Sequence, residues 1–152
     1  MKNIWSKSIC QKPKLRTYVL YKNVFEPEPY VAHYMSRHYR SILAQFRLGI
    51  LPLHIETGRF SNTSLEDRLC TICNASSVED EFHFLMVCPK YKYLREKLFA
   101  EVASANEDFL NKNETDKFVF LNTDCQKQLA MFLCKSWEIR QSSLYINNVN
   151  SS

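Results

Sequence analysis

The motif Cys70-x2-Cys73-x9-His83-x4-Cys88 puts three thiols and one imidazole within nineteen residues, and this spacing restricts the fold more than any other feature of the chain. Soft thiolate sulfur joined by a borderline imidazole nitrogen is the donor set that tetrahedral Zn2+ takes. The close Cys70/Cys73 pair predicts a knuckle, and His83 with Cys88 returns across a loop to close the cage. Four protein donors leave no position for water, so the spacing predicts a structural Zn2+ site without chemistry at the metal. Ser76 or Ser77, three residues before Glu79 or Asp80, is expected to cap a short helix through Met86. Neighbouring turns of a regular helix would not bring His83 and Cys88 together, since they are five residues apart. Pro89, suited to the first position of a following helix, supplies the rigid corner that the last two ligands need.

The rest of the composition fits a helical frame around such a site. Two glycines and five prolines in 152 residues disfavour a turn-rich β fold. The length suits one domain with a sizeable core. The expected fold is therefore mainly α: a small helical domain stapled by one structural Cys3His zinc site, with little or no β. No apolar run reaches the ~18 residues of a membrane span, and Met1–Lys7 makes a poor secretory signal. Six cysteines without such a signal suit a reducing, intracellular compartment, nuclear or cytoplasmic, where thiols hold metal more often than they form disulfides.

Apolar periodicity places the helices. Tyr30 to Leu48, ended by Gly49, reads as the first long one, with Val31, Met35, His38, Ile42 and Phe46 on one arc of about 80°. The next is expected from Lys90 to about Val102, burying Tyr91, Leu94, Leu98 and Val102. A short helix near Glu107–Asn111 and an apolar patch at Phe118–Leu121 lead to a final helix, capped by Asp124 and running towards Tyr145. That helix is apolar enough to pack against several neighbours. Between the first two long helices, Ile50, Leu51, Leu53 and Ile55 are expected to cover core, with turns at Gly49 and Gly58. Cys10, Cys125 and Cys134 read as unpaired thiols, mostly buried. Residues 1–29 form a basic N-terminal arm and linker in this reading, 30–146 the helical domain and 147–152 a disordered tail.

Charge is uneven along the chain. Residues 1–60 carry ten Lys/Arg against three Glu, whereas residues 61–152 carry ten against thirteen Asp/Glu. Lys2, Lys7, Lys12, Lys14, Arg16 and Lys22 are interleaved with Trp5, Tyr18 and Tyr21, a mixture that can meet phosphates and bases or can simply be solvated. Arg37, Arg40 and Arg47, joined by His33, share the far arc of the first helix; such a stripe is a phosphate-binding face or plain surface. Lys90 and Lys92 extend the basic character to the start of the next helix.

Arg47-Leu-Gly-Ile-Leu-Pro-Leu, Gly58-Arg59, Arg68-x-Cys70-x-x-Cys73 and Glu79-Asp80-Glu81-x-His83-Phe84-Leu85-x-x-Cys88-Pro89-x-Tyr91 together resemble the zinc-binding C-terminal region of reverse transcriptases from LINE-type (non-long-terminal-repeat) retrotransposons. The resemblance runs from about Tyr30 to Phe99. It implies Cys70, Cys73, His83 and Cys88 as the Zn2+ ligands, and a domain that helps a polymerase engage RNA or target DNA. Arg37, Arg40, Arg47, Arg59, Lys90 and Lys92 are the candidate nucleic-acid contacts. An adjacent Asp pair of the polymerase kind is absent and an endonuclease domain has no room, so the expectation is a non-enzymatic piece of a reverse transcriptase polyprotein. RNA or DNA, and a reverse transcriptase core, are the expected partners, with no membrane and no small-molecule substrate. The other reading is a structural or protein-interaction zinc module, favoured by the acidic second half and the apolar final helix.

Overall fold

The computed structural model describes residues 7–32 and 34–150. Four helices carry the architecture: α1 (Arg37–Arg47), α2 (Lys92–Ala105), α3 (Glu114–Thr123) and α4 (Gln126–Asn150). Short helical turns at residues 7–10, Pro29–Ala32 and His54–Thr57, with 3-10 turns between, connect them. Among the described residues there is no strand, only one isolated antiparallel bridge between Leu69 and Val78. The expected fold class is the one adopted.

α4 is the central packing element and touches α1, α2 and α3. Its Leu129, Ala130, Phe132 and Leu133 are buried, as its all-round apolar sequence requires. Phe84 sits where these elements meet, with ring centroids 4.7 Å from Tyr91, 6.4 Å from Phe46 and 6.5 Å from Phe132. Such offset and edge-on pairs add to the area the rings bury. The expected burial of Tyr91, in the 3-10 turn before α2, and of Leu98 and Val102 on α2 is observed, with Leu94 half-buried. Glu107–Asn111 is a 3-10 helix. The apolar patch at Phe118–Leu121 belongs to α3, which Asn113 caps by accepting from the Asp116 N–H at 2.8 Å.

Local competition changes several boundaries. The helix expected from Tyr30 to Leu48 is broken before Arg37, because the Ser36 hydroxyl accepts from the Tyr39 N–H and starts a new N-terminus. Val31 and His38, expected on the apolar arc, are consequently exposed. Leu43 and Arg47 widen the buried face instead. Ile50 also lies outside the core, while Leu51, Leu53 and Ile55 are inside it. Cys10 is exposed, and Cys125 and Cys134 are buried. Asp124 closes α3 and does not open α4; the Cys125 carbonyl accepts from the Leu129 N–H at 2.8 Å at the start of α4. α4 continues through Asn150, so residues 147–150 are helical where a disordered tail was expected, and 151–152 lie outside the described residues.

The largest departure is at the N-terminus. Residues 1–6, with Lys2 and Trp5, and His33 lie outside the described residues, but 7–28 are packed onto the body and do not form a loose arm. Arg16 pairs with the fully buried Glu81 at 2.6 Å, Lys14 with Glu56 at 3.1 Å and Lys22 with Glu28 at 3.2 Å. Glu28 also binds Arg47 at 2.7 Å. Gly49 makes this docking fit: its φ is +65°, and a Cβ there would stand 2.2 Å from the Lys14 carbonyl oxygen. Much of the positive charge of residues 1–60 is thus matched internally.

Candidate metal centre

The Leu69/Val78 bridge is the base of the site. Cys70 N–H donates to the Ser77 carbonyl at 2.8 Å and Glu79 N–H to the Arg68 carbonyl at 2.9 Å, closing residues 70–77 into a narrow loop with both knuckle cysteines on it. Arg68 ties that loop to the preceding connector by donating to the carbonyls of Ile55 (2.7 Å) and Thr63 (3.1 Å).

The second half of the site is built on a π-turn. Asp80, and not Ser76 or Ser77, caps the segment: its carboxylate accepts from His83 N–H at 2.7 Å. Residues His83–Val87 then wind as a single π-turn, with Cys88 N–H donating to the His83 carbonyl at 2.7 Å. An i to i+5 hydrogen bond draws together two positions that α geometry would splay apart, which places His83 and Cys88 on one side. Pro89 opens a 3-10 turn leading into α2, and Arg95 on α2 donates to the Cys88 carbonyl at 3.1 Å.

These two halves bring Cys70, Cys73, His83 and Cys88 together, with all four donor atoms within 4.8 Å of one another. Cys73 Sγ lies 3.4 Å from His83 Nε2. A tetrahedral Zn2+ with ordinary bond lengths has a sulfur–nitrogen edge of about 3.6 Å, so this spacing fits the ion. Backbone N–H groups of Ile72 and Cys73 point at Cys70, that of Ala75 at Cys73, and that of Lys90 at Cys88. Donors aimed at sulfur stabilise thiolates, the form a metal binds. A proton shared between Cys70 and Cys88 holds the Cys70 thiol below its ordinary value and pushes Cys88 up, while burial pushes Cys73 up. Crowded thiols of this kind hold protons as a group and release them when a cation arrives. His83 Nδ1 and the Tyr91 hydroxyl are buried beside the cluster without a hydrogen-bond partner among the described residues.

Glu79, only 1% exposed, backs the cluster. Its carboxylate accepts from Arg140 Nε at 2.8 Å and Nη2 at 2.7 Å, from the His54 backbone N–H at 2.7 Å, and lies 3.9 Å from Cys70 Sγ. The forked Arg140 contact ties α4 to the knuckle. The sequence placed Glu79 in a motif and in an expected helix cap, and singled out Arg140 in no role. A signal existed: Leu129, Leu133, Ser136 and Arg140 recur at helical spacing on α4, and an arginine in core register requires a carboxylate.

The six candidate cations fare differently. Arg37 and Arg40 are exposed on α1, and no carboxylate among the described residues pairs with either. Lys90 and Lys92 are exposed at the start of α2, Lys92 lying 3.9 Å from Glu96. Arg59 is exposed and held by Glu56 at 3.1 Å. Arg47 is excluded: it is 2% exposed, bonded to Glu28 and the Asn122 carbonyl, and stacked 4.4 Å from the centre of the Tyr21 ring. Its angular position beside Arg40 is real, but the N-terminal segment covers it.

Fold and site together define a small helical domain with a Cys3His cluster that can hold a metal ion. No protein-family model, curated protein or solved structure matches the chain. No helix among the described residues is long and apolar enough to cross a membrane.

Proposed function

We propose that this chain is a non-catalytic zinc-binding module that engages RNA or DNA, and that it derives from the zinc-binding C-terminal region of a LINE-type reverse transcriptase. The observation that carries the reading is the convergence of Cys70, Cys73, His83 and Cys88 with backbone N–H groups directed at their sulfurs. A closed set of four donors makes the ion a scaffold, and the work then falls to the surface around it. Arg37 and Arg40, exposed and without carboxylate partners among the described residues, are the cations best suited to phosphate. Lys90 and Lys92 offer a second contact beside the metal corner.

The test is the salt dependence of binding to duplex DNA and to RNA. Affinity falls steeply with added salt if phosphates are contacted, and Arg37→Ala with Arg40→Ala lowers the log–log slope on duplex DNA by roughly 2. Salt-independent binding, or no binding at low salt, refutes the reading. Exposed Tyr145, Ile146 and Val149 near the end of α4 favour a second reading, docking onto a polymerase core or another protein. A protein complex that survives nuclease treatment and loss of Arg37 and Arg40 would select it.

A further inference from the structure

Beside the metal knuckle the chain has a pocket of about 390 Å³ whose walls include His54, Thr57, Thr71, Trp137, Arg140 and Gln141. Building on the nucleic-acid reading above, we propose that this pocket takes one unstacked nucleobase of a single strand.

Three features argue for a neutral, flat, hydrogen-bonding ligand. First, His54 is locked. Its backbone N–H donates to Glu79, and its ring Nδ1 lies 2.6 Å from the Leu69 carbonyl oxygen. A carbonyl can only accept, so Nδ1 carries a proton, and in the neutral ring Nε2 is the acceptor. Second, the half-exposed Trp137 is held in place, its ring centroid 6.4 Å from Phe84 and 5.0 Å from the Arg140 guanidinium. An anchored indole in a pocket wall gives a base an apolar surface to pack on. Third, the side chains of Thr57, Thr71 and Gln141 have no hydrogen-bond partner among the described residues. Donors and acceptors are therefore both free around the pocket, as the edge of a base requires.

Charge points the same way. The Arg140 guanidinium is bound through two nitrogens to Glu79, so it is neutralised where it meets the pocket. A phosphate or carboxylate would find no uncompensated cation there, whereas a base needs none. Thr71 lies between Cys70 and Cys73 in sequence, so the knuckle fixes one wall and metal loss should open it.

Trp5→Phe leaves Trp137 as the one tryptophan of the full chain, giving a local probe. Metal-loaded protein is titrated with single strands of about 12 nucleotides, and with the same strands made abasic. Trp137 emission should change with the normal strands and not with the abasic ones. Thr71→Val with Gln141→Leu, at unchanged melting temperature and metal content, should weaken binding of normal strands about ten-fold and leave abasic binding as it was. Two results overturn the proposal and leave the wider reading standing: salt-sensitive binding with unchanged Trp137 emission, or a double variant within two-fold of the parent. No binding of any strand at low salt overturns both.

Discussion

Replacing Arg140 with methionine removes the fork that holds Glu79 while keeping most of the side-chain volume. Glu79 is 1% exposed and the Arg140 side chain 7%, so the charge left behind has no route to solvent. It retains only the His54 N–H and the distant Cys70 sulfur as partners. Breaking one side of a buried ion pair costs about 3–5 kcal/mol. For a chain of this size that is a fall in melting temperature of roughly 6–20 °C. Urea unfolding of metal-loaded protein, followed by circular dichroism at fixed free metal, measures it, because free metal itself shifts the equilibrium. The double variant Glu79→Gln/Arg140→Met should recover part of the loss, since no uncompensated charge remains. A loss below about 1 kcal/mol in Arg140→Met would refute the reasoning, for it would mean that Glu79 does not depend on Arg140 to stay buried.

Two further outcomes follow from the docked N-terminal segment. Burial raises the Glu28 carboxyl, but the Tyr18 hydroxyl, Arg47 and Lys22 outweigh it and hold the group below its ordinary value. Its contribution is therefore present above the unfolded carboxylate range and lost as pH falls through the lower folded value. Hydrogen-exchange protection factors at residues 16–24, corrected for the intrinsic pH dependence of exchange, should fall on acidification, and Glu28→Gln should flatten that fall; identical pH profiles would contradict it. Gly49→Ala forces a side chain into left-handed backbone and against Lys14. It should cost about 1–3 kcal/mol from the backbone conformation alone and expose residues 12–16 to proteolysis; parent-like stability and resistance would count against the docking.

What the sequence disclosed, and what it hid, divides by range. The Cys3His cluster was legible because knuckle and corner are each local, with spacings that only a few geometries satisfy. Helical periodicity likewise disclosed the mainly α fold and the crowded surroundings of α4. Arg47 was misread because its position on α1 says nothing of Glu28 or Asn122, which reach it from nineteen and seventy-five residues away. The pairing of Arg16 with Glu81 is equally remote, sixty-five residues apart, and it turned an expected solvated arm into part of the body. The π-turn was hidden for a different reason: periodicity assumes one helical repeat, and a single inserted residue per turn changes the side on which His83 and Cys88 stand. The break at Ser36 was hidden because an apolar arc runs through it and favours continuity.

The central claim is that Cys70, Cys73, His83 and Cys88 hold one structural Zn2+ on which the fold depends. Purified full-length chain should contain one Zn2+ per molecule by elemental analysis. Cys73→Ser should lower both metal content and cooperative unfolding, since metal binding in small zinc domains is worth ~10–16 kcal/mol. A metal-free preparation that melts like the metal-loaded chain would contradict it.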